Sequence, residues 1–97
     1  MFKTCNNKGF HIKFPNGITL STQFGPGNYG DNYDDPFIMP DGKEKRSYQY
    51  FESEVAAWDE KGKWITDEYR PGSGGVIGYL DIGEWLKFFD WCRNYKP

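Results

Sequence analysis

Histidine and cysteine are scarce in this sequence, and their scarcity argues against most metal and redox sites. The 97 residues include one histidine, His11, and two cysteines, Cys5 and Cys92, which lie near opposite ends and form no CxxC motif. A zinc site needs about four nitrogen or sulfur ligands close together, which these residues do not supply. We therefore expect no metal ion and two free thiols in a reducing compartment.

Recognisable catalytic motifs are also lacking. The sequence has no GxSxG motif and no Walker-type phosphate loop, and no cysteine or paired carboxylate lies near His11. Asp31, Asp34 and Asp35 form a cluster, but their spacing is not that of an EF-hand, so they are more simply explained as turn residues. We therefore predict a protein that is not an enzyme and needs no cofactor.

A large excess of one charge and a long apolar run are missing as well. The net charge of −2 is too small to indicate nucleic acid as a direct partner, and no apolar run approaches the roughly 18 residues of a transmembrane helix. The first residues, Met1 to Cys5, lead into polar sequence without the pattern of a signal peptide. The sequence therefore predicts a cytoplasmic location and no membrane partner.

Aromatic residues are abundant and compensate for the shortage of aliphatic ones. Phenylalanine, tyrosine and tryptophan make up 20% of the chain. Because one aromatic side chain buries roughly 150–250 Å², a few of them can form a core. The chain is too short for two independent cores, so we expect a single domain over residues 1–97.

Residue patterns predict two hairpins and one helix. Apolar and polar residues alternate on both sides of an Asn16-Gly17 turn, which predicts a hairpin at 10–24. Strand formers around a turn at 59–62 predict a second hairpin at 54–66, and further strands are expected at 2–6 and 76–80. A capping box of Asp81 and Glu84 predicts a helix at 82–95. The expected fold is α+β, a small antiparallel sheet of about four to six strands packed on one C-terminal helix.

The predicted helix carries two apolar stripes. The first stripe is expected to face the core and holds Ile82, Trp85, Leu86, Phe89 and Cys92. The adjacent stripe holds Phe88, Trp91 and Tyr95. This second stripe either widens the buried face or forms an interface with a partner or a second copy of the chain.

A long loop is predicted between the two hairpins, at 25–42. Loops of this length in compact domains usually bind a partner or are disordered, and tyrosine, glycine and asparagine are frequent in recognition loops. A basic stretch follows directly at 43–46. The candidate partner- or ligand-binding residues of this region are Asn28, Tyr29, Asp31, Asn32, Tyr33, Lys43, Lys45 and Arg46.

Three blocks of the sequence resemble a family of small proteins carried by tailed bacteriophages. The blocks are GFHIKFPNGITLSTQFGPGNY, EVAAWDEKGKWIT and GYLDIGEWLKF, which follow one another from Gly9 to about Phe89. The resemblance implies a phage protein that acts in the cytoplasm of an infected bacterial host. It supplies no site residues.

Three functions fit this context, and the first is the one we expect. It is an anti-CRISPR or other anti-defence inhibitor that binds a bacterial defence protein without enzymatic activity. The second is a sponge for a nucleotide second messenger of immunity, in which Asn28 and Tyr29 contact the base and the basic stretch contacts phosphate; a homo-oligomer with shared pockets would suit this function. The third is a structural or regulatory phage protein with no role in defence.

Overall fold

The described part of the chain folds as a five-stranded antiparallel sheet packed against a C-terminal helix. A computed structural model describes residues 1–4, 9–24 and 51–97. The strands are β1 (Phe2–Thr4), β2 (Gly9–Lys13), β3 (Thr19–Gln23), β4 (Ser53–Trp58) and β5 (Ile77–Leu80), and the helices are α1 (Thr66–Tyr69) and α2 (Ile82–Asn94). The strands lie in the order β1-β2-β3-β4-β5, and every neighbouring pair is antiparallel. The predicted α+β class is confirmed.

The hairpin predicted at 10–24 is confirmed and is formed by β2 and β3. Ile12 pairs with Leu20, so this apolar pair lies on the face that α2 covers, while His11 and Ser21 pair on the opposite face. The Phe14 N–H donates to the Ile18 carbonyl at 2.9 Å and closes the turn.

The second predicted hairpin, at 54–66, is only partly correct. After β4 the chain turns at Asp59, whose Oδ1 accepts hydrogen bonds from the backbone N–H groups of Lys61 and Lys63. The segment that returns after this turn forms a single β-bridge, between Trp58 and Trp64, instead of a strand. The chain then leaves the sheet because Thr66 begins α1.

Thr66 explains why the return strand ends so early. Its side chain is fully buried, and its Oγ1 accepts a hydrogen bond from the Ala57 N–H at 3.0 Å. The Ile65 N–H donates to the Ala57 carbonyl at 2.9 Å, and the Ile65 side chain enters the core. These contacts fix the segment against β4 in a geometry that a regular strand does not have.

The strand predicted at 76–80 is confirmed as β5, which contains a register irregularity. Ser53 pairs with Leu80 and Val55 with Ile77, so β5 carries one more residue than β4 between these pairs. Tyr79 lies in this irregular stretch with φ of 58°, the only positive value outside glycine among the described residues, and its side chain is exposed. A bulge of this kind redirects a side chain away from the sheet.

Helix α2 begins and ends at well-defined caps. The Asp81 Oδ1 accepts a hydrogen bond from the Glu84 N–H at 2.8 Å, and the Glu84 Oε1 accepts one from the Asp81 N–H at 3.2 Å, which confirms the predicted capping box. At the other end the Nδ2 of Asn16 lies 2.9 Å from the carbonyl oxygens of Cys92 and Tyr95. The turn of the first hairpin therefore caps the C-terminus of the helix.

The buried face of α2 differs from the predicted one. Phe88 and Cys92 are fully buried, whereas Ile82 is 70% exposed and Leu86 is 50% exposed. The buried face thus takes one residue from each predicted stripe, and the side chains at the margin of the core are Trp85, Phe89, Trp91 and Tyr95. The core residues are Phe14, Ile18, Leu20, Val55, Ala57, Ile65, Ile77, Leu80, Phe88 and Cys92. Neither helix in the described part of the chain has the length and apolar character to cross a membrane.

Candidate binding site

The loop and basic stretch that the sequence predicts as a binding region lie outside the described residues. This applies to Asn28, Tyr29, Asp31, Asn32, Tyr33, Lys43, Lys45 and Arg46. Their role therefore stays a prediction. The two residues that flank the interval, Phe24 and Phe51, are described, and both line an apolar groove.

The predicted helix interface needs a correction at one residue. Phe88 has no exposed surface and belongs to the core, so the alternative of a wide buried face describes it correctly. Trp91 and Tyr95 are half-buried and pack beside it, with the Phe88 and Trp91 rings stacked at a centroid distance of 5.8 Å. The Tyr95 hydroxyl donates to the Glu68 carboxylate, and this hydrogen bond raises the pKa of Tyr95. A role of Trp91 and Tyr95 in an interface stays a prediction.

The apolar groove lies between the sheet and the beginning of α2 and has a volume of about 320 Å³. Its deepest residues are the buried Thr22, Ser53 and Leu80. Phe51 and Ile82 form the rim and are 78% and 70% exposed. An exposed apolar rim around a partly formed pocket is typical of a surface that receives an apolar side chain of a partner.

The polar groups inside the groove already have partners within the chain. The Trp85 Nε1–H donates to the Thr22 Oγ1 at 2.8 Å, and the Ser53 hydroxyl donates to the Leu80 carbonyl at 3.5 Å. Because these groups satisfy one another, the groove presents mainly apolar surface to an incoming group.

The described charged groups around the groove are acidic. Glu52 and Asp81 line it, and Glu84 lies beside Asp81 in the capping box. Among the lining residues that the structure describes there is neither lysine nor arginine. A partner that carries basic residues beside its apolar anchor would complement this rim.

The opposite face of the sheet carries an aromatic cluster that the sequence analysis did not identify as a site. We call His11, Trp58 and Trp64 the tryptophan platform. The ring centroids of His11 and Trp58 are 5.1 Å apart, and those of Trp58 and Trp64 are 5.3 Å apart. Trp64 is 51% exposed. The sequence signal for this cluster is a pair of tryptophans that flank one tight turn, which we interpreted only as part of a hairpin.

One cysteine, Cys92, and the histidine, His11, have described environments. Cys92 is a free, buried thiol, and its burial raises the pKa to about 12, so it is protonated at neutral pH. Partial burial, and to a lesser extent the charge of Lys3, lowers the pKa of His11. Cys5 lies outside the described residues.

Among the residues with described positions, no group of three or more histidine, cysteine, aspartate or glutamate side chains is arranged to hold a metal ion. Comparisons with protein-family models, curated proteins and solved structures gave no match to this chain. The groove and the tryptophan platform are therefore interpreted from their own geometry.

Proposed function

We propose that this chain is a non-enzymatic binding protein that inhibits a component of a bacterial defence system. The observation that supports binding is the open apolar groove with its exposed rim of Phe51 and Ile82. The defence role and the location in the cytoplasm of an infected bacterium are supported by the resemblance to small phage proteins.

The groove favours a protein as the ligand. A pocket of this size receives one or two large apolar side chains, and a few such anchors usually dominate the affinity of a protein interface. The acidic groups of the rim favour a bacterial surface in which lysine or arginine flanks the anchor. The long predicted loop at 25–42 begins next to Phe24, a groove residue, so binding by that loop and by the groove would involve neighbouring parts of the chain.

The experiment is a capture of partners from host lysate, with paired helix variants. Ile82→Ser removes an apolar rim residue of the groove, whereas Leu86→Ser removes an equally large exposed residue one turn further along, outside the groove. Because both side chains are exposed, both variants should keep the stability of the fold within about 0.5 kcal/mol. We expect the partner to be lost with Ile82→Ser and retained with Leu86→Ser.

A charge variant and a loop variant extend the test. Asp81→Asn keeps a good helix cap but removes one negative charge from the rim, so it should weaken partner binding and reduce its dependence on salt. Tyr29→Ala combined with Tyr33→Ala tests the predicted loop. Recovery of no partner, or equal recovery by all of these variants, would contradict the binding proposal.

An infection assay separates the inhibitor from a phage protein without a defence role. The chain is expressed in a host that carries an intact defence system, and the plating efficiency of a sensitive phage is measured. Restored plating with the wild type and with Leu86→Ser, but not with Ile82→Ser, supports inhibition through the groove. A confirmed partner without any gain in plating would instead favour the structural or regulatory role.

A further inference from the structure

We propose that the sheet face opposite the groove is a binding site for a nucleotide phosphate, whose base stacks on Trp58 and Trp64 while Lys13 contacts the phosphate. This site is separate from the groove and does not depend on the proposed function. It also differs from the nucleotide site considered in the sequence analysis, which would use Asn28, Tyr29 and the basic stretch at 43–46.

The backbone register brings the relevant side chains into one row. Lys13 pairs with Thr19, Thr19 pairs with Trp58, and Trp58 forms a bridge with Trp64. Residues that are directly paired across an antiparallel sheet lie on the same face. The row therefore runs from a lysine at one side of this face to two tryptophans at the other.

The spacing of the row suits a nucleotide. Neighbouring strands are about 4.8 Å apart, so the backbones of Lys13 and Trp58, two strands apart, are separated by about 10 Å. A lysine side chain spans much of that distance. Its ammonium group can therefore reach a phosphate attached to a ring that stacks on Trp58.

The tryptophan platform has exposed aromatic surface held in a fixed position. Trp64 remains 51% exposed although it contacts Trp58, and a side chain added at Gly75 would lie within 3.3 Å of the Trp64 ring. Trp58 is also fixed by the perpendicular His11 ring. An aromatic surface that is already ordered loses little freedom when a base stacks on it.

Lys13 is the cation in the same row as the platform, although the chain as a whole has a net charge of −2. Lys3 pairs with His11 on this face, Glu54 pairs with Gln23, and Lys13 lies 3.6 Å from Glu60 in an exposed ion pair. An exposed ion pair such as Lys13–Glu60 contributes little to stability and is readily exchanged for a contact between the lysine and a phosphate.

A neutral amide at the same face can supply a hydrogen bond to a base. Gln23 is half-buried there, and its amide donates to the buried Ser21 hydroxyl at 3.2 Å. An amide near stacked aromatic rings resembles the arrangement by which proteins hold unpaired bases. A lipid surface or a purely apolar partner would not make use of it.

The test measures tryptophan fluorescence and the melting temperature of the full chain with ATP and, separately, with an oligothymidylate of eight nucleotides. Free nucleotides and single-stranded nucleic acids both carry a base and a phosphate. Comparing the two probes shows which of these two ligand classes the site prefers. Adenosine and inorganic phosphate test stacking and charge alone and should each bind much more weakly than ATP. We expect quenching and a higher melting temperature with at least one of the two nucleotide probes.

Three variants connect such binding to the proposed residues. Trp64→Ala should weaken binding about ten-fold or more, because stacking on one aromatic ring commonly contributes that much. Lys13→Gln should weaken binding and reduce its dependence on salt, and Ile82→Ser, in the groove, should leave it unchanged. Circular dichroism verifies the fold, and if Trp64→Ala does not fold, Trp64→Leu together with Lys13→Gln carries the test.

The proposal is overturned if neither nucleotide probe quenches fluorescence or raises the melting temperature at millimolar concentration. It is also overturned if the tryptophan and lysine variants bind as tightly as the wild type. Either result would leave the groove proposal intact, because that proposal is tested through Ile82 and a protein partner.

Discussion

Asn16 contributes to two elements that are far apart in the sequence. Its Oδ1 accepts a hydrogen bond from the Ile18 N–H at 3.0 Å within the hairpin turn. Its Nδ2 lies within hydrogen-bond distance of three carbonyl oxygens in the last turn of α2, those of Cys92, Arg93 and Tyr95. The Cys92 carbonyl also accepts a hydrogen bond from the Tyr95 N–H. Because the carbonyls of a last helical turn lack the usual partner four residues further along, the Asn16 amide supplies a donor that they would otherwise take from water.

We predict that Asn16→Ala lowers the free energy of unfolding by about 1–3 kcal/mol, because partly buried carbonyls lose their donor. Asn16→Asp should cost more, since it places a carboxylate beside the negative end of the helix. Urea unfolding measures both effects.

The matched control for Asn16 is Asn94→Ala. The Asn94 Nδ2 donates to the Asp90 carbonyl at 2.9 Å, but this bond is exposed. Its loss should change the free energy of unfolding by less than about 0.5 kcal/mol. Equal costs at both positions would show that Asn16 does not act as a cap.

At the scale of elements, the turn of the β2–β3 hairpin depends on a glycine. Gly17 has φ of 88°, and a methyl group there would lie 2.6 Å from the Glu60 Cγ. Gly62, in the turn after β4, has a similar φ of 81° but open space around it. The two glycines therefore share the backbone requirement and differ only in the contact.

We predict that Gly62→Ala costs about 1 kcal/mol, the penalty for a positive φ, and that Gly17→Ala costs more because Glu60 must also move. In a Glu60→Ala background the two substitutions should cost the same. The measurement is equilibrium unfolding in urea, followed by circular dichroism. A difference that persists in the Glu60→Ala background would mean that the contact is not its cause.

The elements that the sequence predicts well are those encoded by local patterns. The alternation around Asn16-Gly17 and the Asp81–Glu84 capping box depend on residues a few positions apart, so the first hairpin and the start of α2 were predictable. The bond from Asn16 to Cys92 joins residues 76 positions apart, and no local pattern reveals it.

The burial of α2 and the end of the second hairpin were less predictable for a similar reason. Both stripes of α2 are apolar, and only packing against the sheet determines that Phe88 is buried and Ile82 is exposed. Likewise, a strand pattern continues past Trp64, but the buried hydroxyl of Thr66 binds Ala57 and ends the pairing. The groove combines residues from separate strands and the helix, so no single segment indicates it, whereas the two tryptophans of the platform flank one turn and only the contact with His11 is non-local.

At the scale of the whole molecule, the two faces of the sheet differ in chemistry. The helix side has an apolar groove, and the other side has an exposed tryptophan in one row with Lys13. This division follows from the alternation of side chains along β2, β3 and β4. It allows two different ligands to bind without competing for the same residues.

Cys92 reports on the cooperativity of the whole fold, since its thiol is fully buried between the helix and the sheet. We predict that, in a Cys5→Ser background, a thiol reagent labels Cys92 at neutral pH only through unfolding. The labelling rate should therefore rise with urea in parallel with the unfolded population. Rapid labelling in the absence of urea would show that α2 detaches from the sheet independently.

The order of the strands has a consequence for how the chain folds. Each described strand pairs with its described neighbour in sequence, but the separations along the chain differ greatly: residues 14–18 lie between β2 and β3, and residues 24–52 lie between β3 and β4. Closing the longer connection costs about 1.5 kcal/mol more in chain entropy, since the length doubles roughly two and a half times. Pairing of β2 with β3 is therefore favoured early, and the contacts of β4 with β3 and β5, which close longer stretches of chain, are expected to form later.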